Sequence, residues 1–179
     1  SPNDLFFINK GSVKTYKINY DGKELITRMY QAGEFLGYVP LLEEKPYSEN
    51  AEALEETEVA IIPKDDFLSL IYSSKDVARK FLKLLSVSLD ENEKRLLDLA
   101  YQSVRQRVAG TLLQIATKNV ESGGDLTITM ARRDIANLIG TAIESLNRTL
   151  IDFKDEGLIQ MTDAGLKILD RHKLESLLR

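Results

Sequence analysis

Hydrophobic and polar positions divide this chain into a first part of short, alternating runs and a second part of longer helical periods. Residues 5–62 hold brief apolar runs separated by turn residues, and Asp21-Gly22 lies between two of them as a hairpin signal. Val59 to Ile62 is a candidate buried strand that ends at Pro63. Short strands with frequent turns predict a sandwich, a roll or a barrel.

A long helical period follows, after a short predicted helix at residues 64–74. It extends from about Lys75 to Tyr101 and contains neither Gly nor Pro. Spacings of 4, 3, 4, 3, 4 and 3 separate Ala78, Leu82, Leu85, Leu89, Asn92, Leu96 and Leu99. This heptad stripe predicts a coiled-coil seam with a second chain, in which the polar Asn92 fixes the register and a two-stranded state. The alternative is a helix that packs on its own domain.

The last third of the chain has a different order of elements. A helix is predicted from Ser103 to about Lys118, then a loop at Glu121 to Asp125 and a short strand at Leu126 to Thr129. Two short helices divided at Ile139-Gly140-Thr141 come next. A strand, turn and strand within residues 157–170 and a helix at 171–178 complete the pattern. This order is typical of a winged helix.

Composition narrows the possible functions. The chain has no cysteine and one histidine, His172, which excludes disulfides, thiolate catalysis and cysteine-ligated metals within it. No catalytic residue or metal site is predicted, and an enzyme is disfavoured. No apolar run approaches the length of a membrane span, and no signal peptide is visible at residue 1, so a membrane is not an expected partner.

The charge is unevenly distributed along the chain. The net charge is −4, but residues 1–102 hold 13 Lys and Arg against 18 Asp and Glu, whereas residues 103–179 hold 11 against 10. A polyanionic partner is therefore expected to contact the second part.

The helix after Gly140 has two distinct faces. At about 100° per residue, Leu146, Leu150 and Phe153 share the face expected in the core. The opposite face carries Thr141, Glu144 and Arg148, flanked by Ser145 and Asn147, with Ile143 at the border. Arg pairs with guanine and Glu accepts from cytosine, so Glu144 and Arg148 are suited to read a major groove. The alternative is an ordinary i,i+4 ion pair on an exposed helix.

Cations and a hydroxyl surround this helix in the sequence and are candidates for contacts to DNA phosphates. They are Arg132, Arg133, Thr141, Lys167 and Arg171.

The order of these parts resembles the Crp/Fnr family of bacterial transcription factors. The resemblance rests on LFFINKGSVKTYKINYDGKELITRMYQAGEFLGYVPLLEE, Lys75 to Tyr101, and ARRDIANLIGTAIESLNRTLIDFKDEGLI, and it covers essentially the whole chain. It implies an α+β protein with a cyclic-nucleotide-binding-type β-roll at residues 1–72, truncated at its N-terminus. A dimerisation helix at 73–102 and a winged helix-turn-helix DNA-binding domain at 103–179 would follow.

The motif I-G-x-x-x-E-S-x-N-R is the most specific part of the resemblance. It implies Glu144 and Arg148 as base readers, Asn147 or Ser145 as an auxiliary reader, and Arg132 as a phosphate contact. Ile143 stands where the activator has an arginine, so that it either touches a thymine methyl group or packs.

The expected function is a sequence-specific, cytoplasmic transcription regulator that binds an inverted repeat in double-stranded DNA as a homodimer. The resemblance leaves RNA polymerase open as a further partner. The alternative is a ligand-sensing or protein-interaction module whose winged helix docks protein.

The chain departs from cyclic-AMP-binding members at the positions that hold the nucleotide. Tyr38 replaces the family's ribose-binding Glu, and Ser48 and Glu49 replace its phosphate-binding Arg-Ser pair. A cyclic phosphate needs a cation and hydrogen-bond donors. The sequence therefore predicts that cyclic AMP is not bound in the usual way, that no cofactor is present, and that the effector is unknown.

Overall fold

The computed structural model describes residues 2–121, 123 and 125–179. The chain forms two compact units that meet in sequence at Glu93 and Lys94, within one long helix. Each unit combines helices with antiparallel sheet, which confirms the predicted α+β class.

The N-terminal unit contains two three-stranded sheets. Their strands are β1 (Asp4–Lys10), β2 (Ser12–Ile18), β3 (Glu24–Gln31), β4 (Phe35–Leu36), β5 (Asn50–Ala53) and β6 (Glu58–Pro63). One sheet has the order β4-β1-β6 and the other β3-β2-β5, and all pairs are antiparallel. The hairpin predicted around Asp21-Gly22 joins β2 to β3, and the Asn19 side chain accepts the amide hydrogens of Asp21 and Lys23.

Three helices accompany these sheets: α1 (Tyr38–Glu43), α2 (Lys64–Ser73) and α3 (Lys75–Tyr101). The last two were predicted, but α1 lies in a segment for which β-structure and turns were expected. Gly37, with φ of 87°, redirects the chain after β4, a conformation that glycine adopts readily. Pro40 falls in the first turn of α1, where its missing N–H costs nothing. Tyr38 and Leu41 anchor the helix because both are buried.

The prediction of a buried strand at Val59 to Ile62 was wrong in one respect. The strand β6 exists, but Val59 is 38% and Ile61 64% exposed. Among the strands described, β6 pairs only with β1 and is an edge of its sheet. Burial depends on what packs across the sheet, which a run of apolar residues does not reveal.

The C-terminal unit contains the end of α3 and the elements of a winged helix. They are α4 (Val104–Glu121), β7 (Thr127–Ile128), α5 (Arg132–Ile139), α6 (Ile143–Asp155), β8 (Ile159–Thr162), β9 (Gly165–Ile168) and α7 (Arg171–Ser176). The sheet has the order β7-β9-β8. The predicted order is confirmed, but α4 extends to Glu121, which was expected in a loop. Ser122 and Gly124 of that predicted loop lie outside the described residues.

Side chains from α4, α5, α6, α7 and the sheet form one apolar core in this unit. Its most deeply buried members include Val108, Leu112, Ile128, Ile135, Leu146, Leu150, Phe153, Leu158 and Ile159. Across residues 2–121, 123 and 125–179, none of the helices has both the length and the apolar character that crossing a membrane requires.

Candidate nucleic-acid interface

A tight turn at Gly140 sets the path between α5 and α6. Gly140 has φ of 72°, and its amide donates to the Ala136 carbonyl at 2.9 Å. The Thr141 amide donates to the same carbonyl at 3.1 Å. A positive φ is inexpensive for glycine, so the chain ends one helix here and begins the next three residues later.

The inner face of α6 is firmly anchored. Leu146, Leu150 and Phe153 are at most 1% exposed, as the helical periodicity predicted. Glu144 and Arg148 are exposed on the same helix, while Ser145 and Asn147 are half-buried. Ile143 is 39% exposed, so it is available to an outside partner rather than packed in the core.

Glu144 and Arg148 do not form the i,i+4 ion pair that would have explained them as an ordinary helix surface. In the part of the chain that the structure describes, no hydrogen bond or ion pair joins them. Both side chains therefore keep their hydrogen-bonding capacity for another molecule. One can accept and the other can donate two hydrogen bonds, which is the chemistry of base edges.

The N-termini of α5 and α6 have a feature that was not singled out from the sequence. Their N-cap residues are Ala131 and Ala142, and neither end has a side-chain capping hydrogen bond. Ser, Thr, Asp and Asn are the residues preferred at this position, and α1 and α2 also begin without one. Backbone N–H groups at an uncapped N-terminus, with the helix dipole behind them, are suited to bind phosphate. In the sequence, the only sign of these uncapped N-termini is the alanine that precedes each helix.

Arg132 and Asn147 lie together. Arg132 Nη1 donates to Asn147 Oδ1 at 3.3 Å, and its Nη2 is 3.7 Å from Met161 Sδ. Arg132 thus connects the start of α5 with α6 and β8. Its neighbour Arg133 is exposed.

The other candidate phosphate contacts differ in their surroundings. Thr141 is half-buried just before α6, and Lys167 is exposed on β9. Arg171 Nε donates to Glu175 at 2.8 Å, and its Nη2 donates to Thr117 at 3.4 Å. The charge of Arg171 is therefore already paired within the protein.

Two further arginines, which the sequence did not single out, contact residues at the ends of α6 and α5. Arg105 donates two hydrogen bonds to the Glu156 carboxylate, at 2.7 and 2.8 Å, and its guanidinium lies 4.7 Å from the Phe153 ring centre. Arg95 donates to the Leu138 carbonyl at 2.9 Å, near the end of α5, and burial lowers the pKa of Arg95. Neither arginine belongs to a recognisable motif, because both depend on partners 43 or 51 residues away.

The predicted seam of α3 is largely exposed. Leu82, Leu89 and Leu96, seven residues apart, are 64%, 68% and 66% exposed, and Leu99 is 38% exposed. Asn92 is exposed among them. Leu85 differs, because it packs against the buried cluster that contains Phe67 and Phe81. The apolar stripe on α3 is therefore shared between its own unit and the surface.

The three positions at which the sequence departs from cyclic-AMP-binding members differ in their surroundings. Tyr38 is buried, whereas Ser48 and Glu49 are exposed. Glu49 Oε1 lies 3.9 Å from Lys17 Nζ. A carboxylate offers a phosphate no hydrogen-bond donor, and on this chemistry the lack of cyclic AMP binding in the usual way stays a prediction.

Arg28 on β3 forms a cluster of polar contacts that the sequence did not predict. Its Nη1 donates to the hydroxyls of Tyr38 and Ser88, and its Nη2 lies 3.5 Å from Glu91 Oε2. The guanidinium also stacks over Tyr30, and burial raises the pKa of Tyr30 to about 12. Arg28 lies two residues from both Ile26 and Tyr30, which are buried, and side chains two residues apart on a strand point to the same face. This spacing was the signal in the sequence that Arg28 could face the interior.

An open cavity of about 370 Å³ adjoins this cluster. Arg28, Tyr38 and Glu91 contribute to its lining, together with Phe35 from β4 and Lys80, Lys83, Leu84 and Val87 from α3.

Comparison with known proteins identifies both units. Residues 1–74 match the family described as Cyclic nucleotide-binding domain, and residues 106–177 match the Crp-like helix-turn-helix domain. The chain belongs to the Crp/Fnr family of transcription regulators. As a Crp/Fnr regulator, it is a DNA-binding protein that acts through its helix-turn-helix.

Individual relatives agree with this assignment. Electron transport regulator A of Shewanella oneidensis is 28% identical over 176 residues, which cover 97% of this chain and 70% of that protein. The CRP-like cAMP-activated global transcriptional regulator of Mycobacterium tuberculosis is 28% identical over 173 residues, covering 95% and 77%. The structure of FixK2 from Bradyrhizobium japonicum superposes with a TM-score of 0.84 at 25% identity, covering 98% and 87%. Only the second of these names mentions cyclic AMP, so membership of the Crp/Fnr family does not specify the effector.

Proposed function

We propose that this Crp/Fnr regulator is a cytoplasmic homodimer that reads an inverted repeat with two copies of α6 and does not require cyclic AMP. Glu144 and Arg148 read bases, with Asn147, Ser145 and Ile143 beside them. Arg132, Arg133, Thr141 and Lys167 contact phosphates, and Arg171 contributes less because Glu175 already pairs with it. RNA polymerase is a further partner of the bound dimer.

One observation carries the reading assignment. Glu144 and Arg148 are exposed and unpaired on a helix whose other face is fixed by Leu146, Leu150 and Phe153. A rigid helix enters a groove without ordering of its backbone, and its free donors and acceptors can then pair with base edges. The N-terminus of α6 has no side-chain cap, so its backbone N–H groups can donate to a DNA phosphate while the side chains of the helix contact bases.

The exposed leucines of α3 support the homodimer. Burying one leucine stabilises by about 1.5–3 kcal/mol, so a seam formed by Leu82, Leu89, Leu96 and Leu99 would outweigh a substantial entropy cost of association. A second copy presents the same stripe, and Asn92 can pair with its counterpart to fix the register.

Selection of bound sequences from a random DNA pool tests this function most directly. The expected result is an inverted repeat with half-sites about one helical turn apart. Affinity should fall steeply with salt, by roughly 0.9 in log–log slope for each phosphate contacted. An enriched site without symmetry would contradict the two-headed arrangement. Binding insensitive to salt would contradict the phosphate contacts.

Sedimentation equilibrium with Leu89→Asp tests the dimer. A carboxylate in the seam should abolish dimers and leave the helical content of the chain unchanged. Asp90→Asn, at a neighbouring exposed position, is the matched control and should remain dimeric. A dimeric Leu89→Asp variant would place the interface elsewhere.

A further inference from the structure

Arg28 is the centre of a hydrogen-bonded cluster that joins three elements of the N-terminal unit. It projects from β3, Tyr38 belongs to α1, and Ser88 and Glu91 belong to α3. The Tyr38 and Ser88 hydroxyls also lie 3.3 Å from each other. The Arg28 guanidinium and the Tyr38 and Ser88 hydroxyls therefore each contact the other two.

The two hydroxyl groups of the cluster are sheltered from solvent, whereas the Glu91 side chain is 59% exposed. Tyr38 is 3% and Ser88 9% exposed, and the Tyr30 ring covers the guanidinium. The Arg28 side chain is half-buried, at 26% exposed, and these contacts offset the part of its hydration that it loses. Movement of α3 along the sheet would remove the contacts of the guanidinium with Ser88 and Glu91 and leave the Tyr38 hydroxyl.

These contacts act on the same stretch of α3 as the exposed seam. Ser88 and Glu91 are one turn apart on the helix, and they alternate in sequence with Leu89 and Asn92 of the seam. Holding Ser88 and Glu91 therefore fixes the rotation of α3 about its axis. That rotation decides which way the seam leucines point.

We propose that Arg28 is a positioning residue that fixes α3 against the β-sheets from within the chain, so that this regulator binds DNA without a cyclic nucleotide. The inference rests on the proposed function, because it concerns how the same dimer is held in its DNA-binding state. A ligand can shift a protein between states only through different affinities for them. If internal contacts already keep the dimer in its DNA-binding state, a cyclic nucleotide cannot increase the population of that state further.

The test uses the full chain and its selected DNA site. Wild type without nucleotide should bind the site, and addition of cyclic AMP or cyclic GMP should change Kd by less than about twofold. Arg28→Gln should weaken binding by roughly 5–150-fold, the usual range for coupling between sites. Hydrogen exchange at the amides of residues 84–92 should also become faster in this variant, because α3 is released.

Arg79→Gln is the matched control, since it removes an arginine charge from an exposed position of the same helix. It should leave both Kd and hydrogen exchange unchanged. Tyr38→Phe and Ser88→Ala each remove one hydroxyl from the cluster without changing charge. They should weaken DNA binding by a few-fold, and they carry the test if Arg28→Gln does not fold.

Three results would overturn the inference while leaving intact the proposed reading of an inverted repeat by a homodimer, and the first would also overturn the proposed independence from cyclic AMP. They are DNA binding that requires a cyclic nucleotide, an Arg28→Gln variant that loses thermal stability but binds DNA like wild type, and hydroxyl variants that bind like wild type when Arg28→Gln is unfolded. Absence of binding to any pool sequence, with or without nucleotide, would instead overturn the proposed function and the inference with it.

Discussion

Arg148 of the C-terminal unit and Arg28 of the N-terminal unit differ in how their guanidinium groups are used. Arg148 is exposed on α6 and forms no ion pair with Glu144 four residues before it. Arg28 contacts Tyr38, Ser88 and Glu91 and stacks on Tyr30. The first arginine keeps its donors for an outside molecule, whereas the second uses them inside the protein.

The difference shows how to distinguish a recognition residue from a structural one. A side chain that binds an external partner must have unused hydrogen-bonding capacity on a rigid support. A side chain that couples elements must have its capacity met by those elements. Arg148 meets the first condition because α6 is anchored from behind, and Arg28 meets the second.

The support beneath Arg148 can be removed without touching the reading face. Phe153→Ala should lower the free energy of unfolding of the C-terminal unit by about 3–5 kcal/mol, because it leaves a cavity where a fully buried ring lies. Denaturant unfolding followed by circular dichroism measures this loss. Ile151→Ala, at a 57% exposed position of the same helix, should change it by less than about 1 kcal/mol. Equal losses from both would mean that α6 is not anchored by its inner face.

The proposed base-reading role of Arg148 can be tested on a folded protein. Arg148→Ala should weaken binding to the selected site by about 1–3 kcal/mol and relax specificity at one base pair of each half-site. Its thermal stability should match that of wild type. Lys154→Ala removes a cation near the other end of α6 and should leave base preference unchanged. Unaltered affinity in Arg148→Ala would assign the reading to another residue.

Tyr30, on which Arg28 stacks, predicts a dependence of stability on pH. The pKa of Tyr30 is raised from 10.0 to about 12 in the folded chain, first by burial and then by Tyr38, against the opposing effect of the Arg28 charge. Folding thus favours the protonated phenol, so its stabilising contribution is complete below pH 10 and is lost as the pH rises towards 12. The loss should be about 1–2 kcal/mol, measured by unfolding across this range.

Tyr30→Phe should remove this part of the pH dependence, since phenylalanine has no proton to lose. Tyr20→Phe, at a fully exposed position, should retain it. Identical pH profiles for wild type and Tyr30→Phe would show that the phenol is not shielded as the structure indicates.

The smallest expected effect concerns the pair that holds the end of α6. Arg105→Ala removes two hydrogen bonds to Glu156 and a cation–π contact with Phe153. Both partners are partly exposed, so the loss should be about 1 kcal/mol and smaller at high salt. A double-mutant cycle with Glu156→Gln measures the coupling, and full additivity of the two changes would mean that the pair contributes nothing.

The sequence by itself determined the long-period elements. The helix from Lys75 to Tyr101 was predicted with the bounds that the structure has. Its apolar residues recur at helical spacing throughout, and no Gly or Pro interrupts them. The inner face of α6 and the turn at Gly140 were also predicted, since both depend on residues within a few positions of one another. Family and function followed from the same local motifs.

Only the tertiary structure decided which polar side chains were already paired. The partners of Arg28 lie 10, 60 and 63 residues away in the sequence, and Glu156 lies 51 residues from Arg105. The exposure of Ile61 and the helix at Tyr38–Glu43 likewise depended on neighbouring strands and on packing. Local periodicity determines the faces of an element, but contacts between distant segments determine what covers each face and which charges remain free.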